Sequence, residues 1–178
     1  MRKFLFSLLL SIVTLGLATA NAAEASNVRI EFVNPKHFSD FRIQGRNEIA
    51  SVPIFREKIS HYLSPTVAKR YPGATLSLKF TDINLAGRLN TSDTRRLNNV
   101  RIEREGALPL RLDFDYALSD SRGKVLESGS KSLVDSDYLR RYVNYPISLR
   151  GSPLFYERET ISRWLNSETL ASPSIAGK

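Results

Sequence analysis

The sequence predicts an α+β fold: a two-layer sandwich, with a mostly antiparallel four-stranded sheet and helices packed on one face, in the order β-α-β-β-β-α. Three observations carry this reading. LPLRLDFDYAL, residues 108 to 118, alternates apolar and polar side chains over its whole length, which marks a strand with one buried face. Residues 46 to 70 repeat apolar side chains at spacings of three and four, which marks a helix with one apolar stripe. Each remaining strand has one apolar face, so one sheet face is covered and the other meets water.

The elements follow in order. VRIEFV, residues 28 to 33, puts Val28, Ile30 and Phe32 on one face and Arg29 and Glu31 on the other. NPKHFSDFRIQG then reads as a loop. In the helix of residues 46 to 70, Val52, Phe55, Ile59 and Leu63 form the stripe. Pro53 fits a first turn capped by Ser51, or else kinks a helix that starts near Arg46. Ser64-Pro65 repeats the cap-and-proline signal and predicts a break. ATLSLKFTDI, residues 74 to 83, alternates again. SDSRG is a turn, and KVLESGSKSLV, residues 124 to 134, returns as a hairpin partner. Its Ser- and Gly-rich interior predicts an edge or bulged strand. DSDYLRRYVNYPISLRG, residues 135 to 151, has no clean period and reads as loop or short helix over the core. Ser152-Pro153 opens the last helix, whose apolar side is Leu154, Phe155, Ile161, Trp164 and Leu165. The first strand–helix–strand unit allows a parallel crossover.

The start of the chain reads as a leader. Arg2 and Lys3 precede FLFSLLLSIVTLGLA, an uncharged apolar run, and Ala20-Asn21-Ala22 supplies a small-x-small cleavage site. The expected division is residues 1–22 as a cleaved signal peptide, 23–166 as one α+β domain and 167–178 as a flexible tail. The leader predicts export of the protein from the cytoplasm. With no Cys in the 178 residues, it has neither disulfides nor the cysteine that a lipoprotein acylates, and no transmembrane span is expected after signal removal.

The net charge is +8, and removing Arg2 and Lys3 leaves +6, mostly from Arg. A basic exported protein fits an acidic envelope protein, an anionic lipid head group or an acidic glycan, and nucleic acid is not expected. Two stretches concentrate the charge. The first holds Arg88, Arg95, Arg96, Arg101 and Arg104; the second, DYLRRYVNYPISLR, interleaves Tyr138, Tyr142 and Tyr145 with Arg140, Arg141 and Arg150. The planar Arg fork suits carboxylate and phosphate, and tyrosines beside it are typical of binding surfaces. The candidate binding residues are therefore Asp82, Arg88, Arg95, Arg96, Arg101, Arg140, Arg141 and Tyr142. The bland alternative is a solvated, locally paired surface.

No catalytic set emerges. Asp113 and Asp115 share a strand face, and Asp135 and Asp137 form a second D-x-D, but no cation loop accompanies them. His37 and His61 have no ligand spacing, and neither a nucleophile elbow nor a phosphate loop is present. No catalytic residue, metal or cofactor is implied. A non-enzymatic binding or accessory domain leads. The rivals are an enzyme with Asp82, Arg88, Asp113 or Asp115 in a cleft, and a purely structural envelope component.

FVNPKHFSD, TDINLAGR and the late run from Tyr138 through PLFYERETISRWL together resemble a bacterial exported family, domain of unknown function 3016. The resemblance spans roughly Val28 to Leu165. It implies a Gram-negative envelope or periplasmic location and supplies no activity, substrate or catalytic residue. Within its motifs, Asp82 is suited to pinning a turn and Gly87 to supplying a positive φ.

Overall fold

A computed structural model describes residues 26–89, 101, 102, 109–168 and 170. The fold is α+β. Strands β1 (Val28–Phe32), β2 (Thr75–Asn84), β5 (Leu110–Ser119) and β6 (Val125–Asp135) form one sheet in the order β1-β2-β5-β6. The sheet is mixed. β1 runs parallel to β2, while the β2–β5 and β5–β6 pairs are antiparallel. Helix α1 (Glu48–Arg70) makes the crossover between the parallel pair. A ribbon of two short strands, β3 (Arg88–Leu89) and β4 (Arg101–Ile102), stands apart from the main sheet. The last third of the chain adds single turns α2 (Tyr138–Arg141) and α3 (Ile147–Arg150) and helix α4 (Phe155–Ser167).

Helix α1 bears out the start near Arg46 rather than the cap at Ser51, and corrects the expected break. Its cap is Asn47, whose side chain accepts from the Ala50 amide at 2.8 Å. Ser51 is instead fully buried inside the helix, where its hydroxyl donates to the Asn47 carbonyl and accepts from the Ile43 amide. The helix also runs unbroken through Pro53 and Pro65. Each proline removes one backbone donor, and packing makes up the loss. Phe55, Ile59, Leu63 and Val67 are fully buried every fourth residue, and Ser64 exchanges two hydrogen bonds with Asn27 at the root of β1.

An aromatic row ties the helices to the sheet. Phe32, Phe80 and Phe114 lie opposite one another on neighbouring strands. The Phe55 ring of α1 meets Phe32 and Phe80 edge-on at 5.8 and 5.1 Å. Trp164 of α4 meets Phe114 and Tyr116 at 5.1 and 5.3 Å. Asp113 and Asp115 accept hydrogen bonds from Ser132 and Ser130 across the β5–β6 pair. The last helix corrects its expected start. Leu154, not Ser152, precedes its first turn, and the Ser152 hydroxyl donates back to the Leu149 carbonyl. Just past Ser167 the chain is held, with Glu168 paired to Lys131 at 2.6 Å and Leu170 buried.

β6 is an edge strand whose inward row carries Glu127, Gly129 and Lys131 opposite Leu118, Tyr116 and Phe114. Charges pointing inward blunt an edge against further pairing. Gly129 has a second reason: a Cβ there would lie 3.0 Å from the Tyr116 ring, which hydrogen-bonds Glu127 at 2.9 Å. Gly129→Val is expected to lose about 1–3 kcal/mol in urea unfolding by displacing that ring. In a Tyr116→Ala background the same change should cost little. An equal loss in both backgrounds would mean the ring is not the obstacle.

Candidate functional site

The apolar phase of β2 changes partway. Leu76, Leu78 and Phe80 face the core, and then Ile83 and Leu85 do. An irregularity in the β2–β5 register between Phe80 and Asp82 makes the switch. Asp82 then accepts from the amide and hydroxyl of Ser39, each at 2.7 Å, and from Arg111. Burial pushes its carboxyl pKa up, but the bonds from Ser39 and Arg111 win and hold it below the usual carboxylate value. So Asp82 is an ionised pin for the loop at Ser39. That loop lies along the strand end, with Asp40 bonded to Ile83 and Leu85 through the backbone.

The turn after β2 is clamped from both sides. Gly87 adopts φ +74°, a conformation that glycine reaches without strain. The carbonyls of Leu85, Ala86 and Gly87 all accept from the Arg101 guanidinium, at 3.0, 2.6 and 3.0 Å. Arg101 also pairs with Asp40 at 2.7 Å, and its side chain is only 15% exposed. From the other side, the Ala86 amide donates to the Glu157 carboxylate at 2.8 Å and the Gly87 amide to the Tyr138 hydroxyl at 2.9 Å. Glu157, buried in the first turn of α4, thus fastens the last helix to the end of β2.

A second buried carboxylate fastens the other end of the same region. Asp135, at the end of β6, has no exposed side-chain surface and receives Arg163 at 2.8 Å and Arg141 at 3.3 Å. It also accepts from the Asp137 amide. Burial works to raise its pKa, and the two guanidiniums more than reverse this.

Beside the first of these fastenings, at Ala86, Arg101 and Glu157, lies a cleft of about 580 Å³. Ile43, Gln44, Leu85, Ala86 and Arg101 form one wall, and residues 147 and 150–157 form the other. Gln44 and Leu154 both line it with positive φ, 51° and 60°, conformations that cost a non-glycine residue about 1–2 kcal/mol. Arg101 and Arg150 both reach the cleft, so one arginine from each basic stretch meets there.

The candidate residues divide accordingly. Asp82, Arg101 and Arg141 are committed to contacts inside the fold. Tyr142 is buried, its ring against Tyr145, Phe155 and Tyr156. Arg88 and Arg140 are exposed and have no ion pair among the described residues. Arg95 and Arg96 lie outside the described residues. Reading the sequence missed Glu157 and Asp40, and saw Asp135 only as half of a D-x-D pair rather than as a buried partner of Arg141 and Arg163; Glu157 had a signal, since an acid sits in the otherwise apolar PLFYE. Among the described residues no group of three or more His, Cys, Asp or Glu could hold a metal ion, and no helix is long and apolar enough to cross a membrane.

The model of the family described as protein of unknown function (DUF3016) matches residues 26–167. The chain belongs to that family. No curated protein and no solved structure matches it. In this DUF3016 chain the three resembling stretches meet in space. FVNPKHFSD is tied to TDINLAGR through Ser39 and Asp82, and TDINLAGR to PLFYE through Ala86 and Glu157.

Proposed function

We propose that this DUF3016 protein is a non-enzymatic binding or accessory domain of the cell envelope that engages an acidic partner through a basic surface. One observation carries the reading. From Tyr138 to Tyr156 the chain contains three arginines and no acidic residue. Arg140 is exposed without an ion pair among the described residues. The Arg150 guanidinium donates only to the Tyr145 carbonyl among its described contacts, and so keeps its charge beside the cleft. Arg141 shares one carboxylate with Arg163, so that trio retains one positive charge. The leader motif supports export to the periplasm with cleavage before Ala23, and the aromatic row supports a two-layer arrangement with the helices on one sheet face.

The surface used differs from the sequence expectation in emphasis. The late stretch carries more of the proposal than Arg101 does, because the donors of Arg101 already serve six described acceptor oxygens, four backbone carbonyls and both carboxylate oxygens of Asp40. The inward charges of β6 make strand addition at that edge the weaker reading.

The test is capture of envelope partners by the exported protein at low and high salt. We expect an acidic partner that salt releases and that Arg140→Glu/Arg150→Glu loses, while Arg101→Lys, if folded, retains it. Capture unchanged by the charge reversal would overturn the basic-surface reading.

A further inference from the structure

The late segment combines its charge with exposed apolar side chains. Val143, Tyr145, Ile147 and Leu149 are 59, 41, 78 and 47% exposed, at every second position along seven residues. They account for half of the large hydrophobic residues exposed among the described residues. Such clustering is a feature to be explained, whereas single exposed apolar residues are ordinary. The segment is not loosely hung. The Tyr145 ring rests edge-on against Tyr142 and Phe155 at 5.4 and 5.6 Å, and those two rings are buried. Arg150 holds the Tyr145 carbonyl at 3.0 Å, and α3 closes on Pro146 through the Leu149 and Arg150 amides.

We propose that residues 143–149 insert into the surface of an anionic lipid bilayer, with Arg140 and Arg150 against the head groups. This rests on the acidic-partner reading above and names the partner. Charge complementarity selects it: the segment and its flanks carry arginines and no acid from Tyr138 to Tyr156, and anionic head groups present a diffuse negative surface. The form of the apolar part agrees. A protein partner must offer a shaped pocket to each projecting side chain, whereas the head-group boundary accepts separate aliphatic and tyrosine side chains one at a time. Lipid attachment through cysteine is closed to this chain, which has none. Ile147, the most exposed of the four, also lines the cleft, so the cleft opens beside the inserted tip.

The experiment is co-sedimentation of the exported protein with vesicles of phosphatidylcholine, alone or mixed with phosphatidylglycerol. Soluble glycerol phosphate serves as a competitor that has the charge without the bilayer. The reporter is Ile147→Trp, whose emission can be read against the one native tryptophan, the buried Trp164. We expect binding to the anionic vesicles only, a blue shift of the new tryptophan, and little competition by glycerol phosphate. Ile147→Asp/Leu149→Asp should weaken partitioning about tenfold or more without altering the unfolding temperature. Arg140→Glu should weaken it at low salt more than at high salt.

Binding without a blue shift, or binding that survives Ile147→Asp/Leu149→Asp, would overturn insertion. So would full competition by glycerol phosphate, which would assign the site to a soluble anion. A further outcome is failed vesicle binding with envelope capture still dependent on Arg140 and Arg150. That result overturns the lipid surface and leaves an acidic protein or glycan as the partner. Failure of both removes the acidic-partner reading itself.

Discussion

Arg101→Met is expected to lower folding stability by about 3–5 kcal/mol, the usual cost of breaking a largely buried, hydrogen-bonded ion pair. At this chain length that is a fall of about 10 °C in Tm. The size follows from what remains. Methionine fills much of the volume but donates nothing. The Asp40 carboxylate loses its cation, and the carbonyls of Leu85, Ala86 and Gly87 lose the fork that serves them together. Arg101→Lys keeps the charge but not the planar fork, so it should recover only part of the loss. Adding Asp40→Asn to Arg101→Met should cost much less than it does alone, because both changes break one pair. Thermal unfolding of the four variants measures this. A stable Arg101→Met protein that has lost only its partner would instead place Arg101 in the binding surface, as its sequence neighbourhood suggested.

That neighbourhood shows where reading the sequence works and where it stops. Strands are visible because burial on one sheet face imposes a period of two on adjacent residues. Even the switch in β2 is written in the order Leu76, Leu78, Phe80, Ile83, Leu85. The partners of Arg101 and Glu157 leave no such trace. Asp40 lies 61 residues from Arg101, and Ala86 lies 71 from Glu157. An arginine serving four carbonyls therefore looks, locally, like any other in a basic stretch. The unbroken α1 fails for a related reason. Pro53 argues locally for a first turn or a kink and Pro65 for a break, but the buried stripe from Phe55 to Val67 and the Ser64–Asn27 exchange decide the matter from outside the helix. The parallel β1–β2 pair is signalled by element order, since a helix between two strands allows a parallel crossover, whereas alternation alone is silent on strand direction.

The candidate surface was legible in composition and not in membership. The Tyr- and Arg-rich character of residues 138 to 150 is plain, yet the structure divides that run residue by residue. Tyr138 and Tyr142 turn inward, Arg141 reaches the buried Asp135, and Val143, Tyr145, Ile147 and Leu149 turn outward with Arg140. The alternation of Val143, Tyr145, Ile147 and Leu149 does not say which side is buried, and nothing local assigns sides. The long contacts to Gly87, Asp135 and Phe155 do so.

Asp135→Asn is the second large effect, because Asp135 is where that outward segment is anchored. Asparagine keeps the shape but removes the charge that Arg141 and Arg163 share. Both arginines are 40% exposed or more and can rehydrate, which reduces the loss. About 2 kcal/mol is expected at neutral pH, or about 5 °C in Tm. The pH dependence separates this from simple packing damage. The native Asp135 carboxyl is held below its ordinary value, so the folded state binds the proton less readily than the unfolded chain does. Its contribution is therefore complete above the unfolded pKa of about 3.9 and is lost as pH falls through the lower native value. The wild type and Asp135→Asn should differ by a constant amount from pH 7 to about 5 and converge below about pH 4. Asp82, held low by its bonds from Ser39 and then Arg111, and Glu48, held low by its bond from Arg42, leave an acid slope in both proteins. If the gap stays constant down to pH 2, the loss comes from packing rather than charge. If Asp135→Asn also abolishes partner capture while a core variant of equal Tm does not, the ion trio presents the late segment as well as stabilising it.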